Sequence, residues 1–246
     1  TKIRTAFEIA REVEDVGGDI NAYTGKERTA YYVRLLPENL NLGIDILSDI
    51  LINSTYPIEE IERERSVIIS EIGQYNDTPD EKVYENFMAT SFKDQSLGES
   101  ILGTEKSVKS FNKKDLLRFC SEFYNTSNLI VGICGDFDKK KFEKQVSKKF
   151  LGFRNGIKTK KPIFKWQSGK FLEEKDLEQT NIMFGLEGLS NSDKDRFALR
   201  ALTIIFGYGM SSKLFQEIRE KRGLCYSIYG FCSQFSSVGT FGFSSG

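Results

Sequence analysis

A helix gives way to a β-hairpin at residues 17–36, which read GGDINAYTGKERTAYYVRLL. The two leading glycines end the helix, because glycine adopts the left-handed backbone conformation that closes a last helical turn. Two runs rich in β-branched and aromatic residues, Ile20–Thr24 and Thr29–Leu35, flank the turn residues Gly25-Lys26-Glu27. This stretch therefore predicts a helix followed by an antiparallel hairpin.

The sequence on both sides of this hairpin is mostly helical. Thr5 and Glu8 have the spacing of a capping box, which starts the first helix. Hydrophobic periodicity and the positions of Pro, Gly and Asn predict helices that end near Ile52, Tyr75, Ala89, Tyr124, Phe150 and Phe206, a helix over Ser211–Lys221, and strands over Leu129–Cys134 and Gln179–Leu186. Because helices and hairpins do not alternate strictly, this order favours an α+β fold over a parallel sheet.

The order helix, glycine turn, hairpin occurs twice, which suggests an internal repeat. Residues 6–12 lead through a glycine turn to the first hairpin, and residues 214–220 lead in the same way to a hairpin over Leu224–Gly246. The polar stretch Gly152–Pro162 has the composition of an interdomain linker. We therefore predict a first unit over residues 1–155, a linker over residues 156–165 and the N-terminal part of a second unit over residues 166–246.

Charge and hydropathy exclude several classes of function. The 35 Lys and Arg residues balance the 35 Asp and Glu residues, so no overall field favours nucleic acid. The run Lys139–Lys165 holds 11 basic residues and one acid, and we interpret it as a solvated helix with a linker rather than a nucleic-acid patch, because the compensating negative charge lies elsewhere in the chain. No apolar run approaches the roughly 18 residues that a membrane span needs.

The chain contains no histidine and four cysteines. Without histidine, these residues cannot build a Ser-His-Asp triad, a Cys-His dyad or a His-ligated metal site. No two cysteines are spaced Cys-x-x-Cys, and four in 246 residues do not make a disulfide framework. We expect reduced, buried thiols in a reducing compartment.

Two acidic residues on the third predicted helix are candidates for chemistry. Glu64 and Glu71 are two turns apart and fall within about 20° of each other on the helix surface. Their apolar neighbours place both at the edge of the buried stripe, where a carboxylate needs a cation, hydrogen-bond donors or a metal. Pairing with Arg or Lys is the structural interpretation, and metal ligation is the functional one.

Two further pairs of residues are candidates for binding. Arg219 and Tyr226 flank the turn that ends a predicted helix, where they could bind a carbonyl or an oxyanion, or else cap the helix and pack in the core. Asn21 and Ala22 lie on the first strand of the hairpin. If that strand is an edge, its backbone can pair with an extended peptide; otherwise it is an ordinary strand of a sheet.

Taken together, four segments resemble the insulinase/pitrilysin family of zinc metallopeptidases, in particular the mitochondrial processing peptidase β type and its single-chain bacterial relatives. The resemblance lies in Gly17–Thr24, in Glu62–Glu71 followed by Asp77–Asp80, in Leu97–Thr104 and in Met210–Tyr226. It implies an α+β fold of tandem homologous α/β-sandwich units that enclose a peptide-binding chamber, with the second unit truncated here.

The resemblance also implies roles for the candidate residues. Glu71 matches the third ligand of the single Zn²⁺ of the intact protein, and Glu64 matches an acidic residue that supports the zinc site. Asn21 and Ala22 match residues that hold the substrate backbone, and Arg219 and Tyr226 match a pair that orients the substrate carbonyl. The family's H-x-x-E-H motif, which supplies two ligands and the general base, is missing. We therefore expect that the printed chain starts just after this motif and is inactive alone.

The function implied is that of a zinc-dependent metalloendopeptidase that cleaves short or unfolded peptides, with targeting presequences as one class of substrate. The alternative is a non-catalytic family subunit that binds partners or peptides without hydrolysis. The expected partners are a peptide substrate and either a second copy of the chain or a different subunit, with no nucleic acid and no membrane span. The expected compartment is the bacterial cytoplasm, with the mitochondrial matrix as the alternative.

Overall fold

The computed structural model describes residues 1–246 and divides them into two compact units. Unit 1 combines Thr1–Val67 with Lys106–Lys160, and unit 2 combines Ile68–Glu105 with Lys161–Gly246. Each unit is therefore built from two separate segments of the chain. Both contain helices and antiparallel strands, which confirms the predicted α+β class. The sequential domains at residues 1–155 and 166–246 stay a prediction.

The regular elements occur in a fixed order along the chain. They are α1 (Ala6–Glu14), β1 (Asp19–Thr24), β2 (Thr29–Arg34), α2 (Leu40–Asn53), α3 (Ile58–Asp77), α4 (Pro79–Ser91), α5 (Glu105–Ser110), α6 (Lys113–Phe123), α7 (Lys139–Lys149), β3 (Ile182–Gly188), α8 (Arg196–Gly207), a π-helix (Phe215–Glu220), β4 (Ile228–Gln234) and β5 (Gly239–Ser245). Short 3₁₀ turns lie at Pro37–Asn39 and Ser96–Gly98. None of the eight α-helices has both the length and the apolar character needed to cross a membrane.

Unit 1 begins with the predicted capping box. The Thr5 side chain accepts a hydrogen bond from the Glu8 backbone N–H at 3.2 Å, and the Glu8 carboxylate accepts one from the Thr5 backbone N–H at 2.7 Å. These bonds satisfy backbone donors that the first turn of α1 would leave open. The β1–β2 hairpin follows, and the apolar core of this unit includes Val13, Ile44 and Ile46.

A partly buried charge network joins the start of unit 1 to α1 and α2. The Arg4 guanidinium donates to Glu12 at 2.9 Å, to Asp45 at 2.7 Å and to Asp49 at 3.3 Å. The hydrogen bond to Glu12 is the main cause that raises the pKa of Arg4, and the bond to Asp45 adds to it. Lys149 of α7 also pairs with Asp45. The network stabilises the packing of these helices because no charge within it is left without a partner.

Unit 2 contains a three-stranded antiparallel sheet in the order β3–β5–β4. Its core cluster comprises Met88, Phe92, Leu97, Phe164 and Val238, and the Trp166 ring meets Phe92 edge-on at 5.9 Å between centroids. Helix α8 packs on β4, and glycine makes the approach possible. A Cβ on Gly207 would collide with the backbone of Gly230.

Four local predictions need correction. Leu129–Cys134 forms no ladder and Ile130 is 93% exposed, because a strand exists only where another strand satisfies its backbone groups. The third strand spans Ile182–Gly188, and a π-helix over Phe215–Glu220 replaces much of the helix expected at Ser211–Lys221. The four cysteines are free, as predicted, but none of them is buried.

Candidate functional site

The outer edge of β1 has no neighbouring strand, since β1 pairs only with β2 in a two-stranded sheet. The Gly25 N–H donates to the Arg28 carbonyl at 2.7 Å, which marks these residues as a hydrogen-bonded pair. Bonding alternates along an antiparallel ladder. The backbone N–H and C=O groups of Ile20, Ala22 and Thr24 therefore point away from β2. None of these groups bonds to another strand, so this edge can pair with an extended chain.

Asn21 modifies this open edge. Both Asn21 and Ala22 are exposed, and the Asn21 side-chain oxygen accepts a hydrogen bond from the Ala22 backbone N–H at 2.8 Å. One of the outward donors is therefore bonded to its neighbour's side chain. An incoming peptide would have to displace this local bond before it could pair with Ala22.

The two candidate carboxylates of α3 are exposed and have no partner. Neither Glu64 nor Glu71 forms an ion pair or a side-chain hydrogen bond within the 246 residues, so the structural interpretation of pairing with Arg or Lys is wrong. The nearby arginines bond instead to Glu60 and Glu62, three residues before each of them. Their apolar neighbours on this helix are half-buried or, at Ile72, buried, which agrees with the expected position at the edge of the buried stripe.

The residues present do not complete a zinc site by themselves. No group of three Cys, Asp or Glu side chains within residues 1–246 could hold a metal ion. A catalytic zinc needs about three protein ligands. The free carboxylate of Glu71 fits the chemistry of one such ligand, but the chain offers no second or third ligand beside it.

Tyr75 lies one helical turn beyond Glu71 and was not among the predicted site residues. Burial raises the pKa of the Tyr75 phenol, and the nearby Glu81 carboxylate adds to the rise, so the phenol stays neutral at physiological pH. The sequence indicated only weakly that Tyr75 lies near Glu71, through their spacing of four residues on one helix.

The structure brings Arg219 and Tyr226 together. Arg219 Nε donates to the Tyr226 backbone carbonyl at 2.8 Å, and the guanidinium carbon lies 5.8 Å from the Tyr226 ring centroid. Arg219 therefore bonds to the following loop rather than to carbonyls at a helix end. Tyr226 is 81% exposed, so the alternative that it packs in the core is wrong.

Two hydrogen-bonding groups of this pair remain unused. Arg219 Nη2 and the Tyr226 hydroxyl form no hydrogen bond within the chain, and the Arg219 side chain is 32% exposed. The Tyr226 backbone N–H donates to the Gly246 carbonyl at 3.0 Å, which anchors this residue to the end of β5. The pair can therefore donate to an oxygen acceptor such as a peptide carbonyl.

Sequence reasoning missed two residues that surround Arg219. The Phe215 ring centroid lies 4.6 Å from the guanidinium carbon, and Glu220 accepts from Arg219 Nη1 at 2.9 Å. Both belong to the π-helix, and elements of this kind frequently mark functional sites. The four-residue spacing of Phe215 and Arg219, about one helical turn, could have predicted that their side chains are neighbours.

Comparison with known proteins places this geometry in a family. Residues 1–105 match the family model described as insulinase, peptidase family M16, and residues 110–246 match the model described as the peptidase M16 inactive domain. An uncharacterized zinc protease of Rickettsia bellii is 43% identical, with 98% of this chain and 59% of the relative covered. One of Bacillus subtilis is 34% identical, with 97% and 58% covered. The chain thus spans less than two thirds of these curated relatives.

Solved structures show the same fold. The crystal structure of a protease from Helicobacter pylori superposes with a TM-score of 0.93 at 23% identity, covering 100% of this chain and 61% of that one. A peptidase M16 inactive domain from Pseudomonas fluorescens gives a TM-score of 0.87 at 19% identity, covering 98% and 60%. With matches to both M16 models along nearly its whole length, the chain belongs to the insulinase family of peptidases, family M16.

Proposed function

We propose that this chain is part of a zinc-dependent endopeptidase that cleaves short or unfolded peptides. The observation that carries the proposal is the open edge of β1, where three residues turn their backbone groups outward. The names of the relatives, which describe zinc proteases, support the reaction class.

The edge explains the proposed preference for unfolded substrates. A peptide can add to β1 as a further strand, with backbone hydrogen bonds to Ile20, Ala22 and Thr24. Such bonds require an extended segment whose own N–H and C=O groups are free. A folded protein seldom offers one, because its backbone groups are already paired. A short or unfolded peptide offers many.

The remaining residues have separate roles in this proposal. Arg219 and Tyr226 donate to a carbonyl oxygen of the peptide through their unused donors. Glu71 supplies one carboxylate ligand for zinc, and Glu64, two turns earlier on α3, adds negative charge that favours a cation. The other ligands come from residues outside these 246.

A variant of Glu71 tests the proposal on the product of the complete gene. We expect E71Q to lower zinc content and the hydrolysis of quenched fluorescent peptides by at least about 100-fold, because an amide is a poorer zinc ligand than a carboxylate. E60Q is the matched control on the same helix and should retain both. Full activity in E71Q would refute the role of Glu71. A gene sequence without H-x-x-E-H upstream of the Thr1 codon would refute the metal proposal as a whole.

The second candidate is a non-catalytic subunit that binds peptides or partners. The observation that favours it is the lack of a three-ligand group within residues 1–246. In addition, the family model that matches residues 110–246 is named an inactive domain. Peptide binding without hydrolysis by the complete gene product would support this candidate. A second copy or a different subunit is the proposed partner in either case.

The bacterial cytoplasm is the proposed location, because the curated relatives compared above are bacterial. The mitochondrial matrix is the alternative. Fractionation of the source cells with an antibody against the chain separates the two.

A further inference from the structure

We propose that Phe215 and Glu220 are positioning residues that hold the Arg219 guanidinium with one end free, and that this end selects a neutral carbonyl over a carboxylate. The inference rests on the proposed role of Arg219 in peptide binding. It assigns a task to the π-helix that the proposed function leaves unexplained.

Three groups hold the guanidinium. The Phe215 ring lies 4.6 Å from the guanidinium carbon, the Tyr226 carbonyl accepts from Nε at 2.8 Å, and the Glu220 carboxylate accepts from Nη1 at 2.9 Å. An arginine side chain loses much rotamer freedom when it is fixed. Because these contacts fix it before a ligand arrives, binding to Arg219 costs less entropy.

The same contacts determine which end is free. A guanidinium carries five N–H donors in a planar fork. The single donor of Nε and one of the two donors of Nη1 are engaged, whereas both donors of Nη2 have no partner. The exposed Tyr226 hydroxyl is a further free donor beside the same residue. An acceptor therefore finds most of the free donors at the Nη2 end.

Glu220 also sets the charge that an acceptor meets. Its carboxylate neutralises Arg219 directly, so an incoming carboxylate gains little attraction and meets a like charge nearby. A neutral carbonyl avoids this repulsion. Three other cations of this segment, Lys213, Lys221 and Arg222, share the one carboxylate of Glu217, so the segment keeps a positive charge and the repulsion comes from Glu220 alone.

The first test uses NMR to observe whether the Arg219 side chain is held in place. In the 246-residue chain with ¹⁵N-labelled arginine, we expect a distinct, slowly exchanging Nε–H signal from Arg219, assigned with R219K. F215L should shift and broaden this signal, and F215Y should restore it, because tyrosine keeps the aromatic face. The matched control is F197L, since Phe197 stacks on a different arginine, Arg196, at 4.2 Å. An unchanged signal in F215L would overturn the positioning role.

The second test reads specificity in the complete gene product. Pairs of quenched fluorescent peptides are prepared in which one position holds either Gln or Glu, and this position is moved along the peptide from pair to pair. The value of kcat/KM is compared within each pair. We expect E220Q to raise kcat/KM for a Glu peptide about tenfold relative to its Gln partner, while wild-type protein prefers the Gln peptide. F215L should raise KM with little change in kcat, and F215Y should rescue it. An unchanged Glu-to-Gln preference in E220Q would overturn the selectivity claim.

The two tests separate this inference from the proposed function. Peptidase activity in which F215L and E220Q match wild type would leave the function standing and overturn the inference. If wild-type protein cleaves no peptide, the proposed function fails. The same peptide pairs are then compared by binding, and the NMR signal still decides whether Phe215 positions Arg219.

Discussion

Arg4 is a single residue of unit 1 whose ion pairs contribute to the stability of the fold. Its side chain is bonded to three carboxylates, and one of them, Asp49, is only 3% exposed. A buried carboxylate that loses its cation is costly, because its charge is then uncompensated in a medium of low polarity. Arg4 therefore matters more to stability than the exposed Arg63 of α3.

Replacement of Arg4 by methionine should lower the free energy of unfolding by about 3 kcal/mol or more, because Asp49 and Asp45 lose a buried partner. Urea unfolding followed by circular dichroism measures the change. R63M is the matched control. It removes an exposed pair with Glu60 and should leave the midpoint close to that of wild type. Equal effects of the two substitutions would contradict the role assigned to burial.

Asp49 makes stability depend on pH. Burial acts to raise the pKa of Asp49, but hydrogen bonds from Thr1, Asn53 and Arg4 outweigh it and the pKa is lowered. The unfolded chain binds this proton near pH 3.9, above the folded pKa. The stabilisation is therefore fully present above about pH 5 and is lost as pH falls through the folded pKa.

We expect the free energy of unfolding to fall as the pH is lowered from about 5, and to fall less steeply in D49N, which cannot be protonated. Asp45, whose pKa is also lowered, adds to the slope in wild type, because burial is outweighed there by hydrogen bonds from Lys149 and Arg4. Denaturation series at fixed pH values give the slopes. Parallel slopes for wild type and D49N would show that Asp49 is not responsible.

At the scale of elements, the β1 edge predicts a contrast between neighbouring positions. Proline at Ala22 removes an outward N–H and should leave the fold nearly intact, whereas proline at Tyr23 removes a ladder hydrogen bond to β2 and should destabilise the hairpin. We expect A22P to lower peptide affinity about tenfold with a small change in stability.

Y23P is the control that separates folding from binding. Fluorescence polarisation with a labelled unstructured peptide and urea unfolding measure the two effects. If A22P binds the peptide as wild type does, the peptide does not use the edge of β1.

The elements that sequence predicted correctly depend on local chemistry. The capping box of α1 and the β1–β2 hairpin follow from residues only a few positions apart. The strand at Leu129–Cys134 was wrong because its pattern shows apolar character but not whether a partner strand exists. The π-helix could not be foreseen, since residue propensities do not distinguish bonds to the fourth residue from bonds to the fifth.

The candidate site follows the same division. Sequence predicted that Arg219 and Tyr226 belong together, and the structure brings them into contact. It did not predict that Glu64 and Glu71 would be exposed, because helix periodicity orders residues around the axis but does not fix where packing ends. The roles of all six candidate residues stay proposals.

At the scale of the whole molecule, the side chains available as metal ligands predict how the chain behaves toward zinc. The purified 246-residue chain should bind zinc substoichiometrically after dialysis and show no metal-dependent hydrolysis, because it offers no group of three ligands that could hold the ion. Metal analysis and a peptide assay with added zinc test this. Stoichiometric zinc with turnover would show that other side chains can assemble a site.

The bond between Asn21 and Ala22 also bears on how copies of the chain behave toward one another. An unpaired strand edge is a template for edge-to-edge association, and natural proteins interrupt such edges. The Asn21 side chain withdraws the central donor of the outward row, so two β1 edges cannot form a continuous ladder. Solubility and substrate access therefore depend on the same weak bond. A bound peptide has to displace this bond once, whereas pairing with a second copy would require it to be displaced on both strands at once.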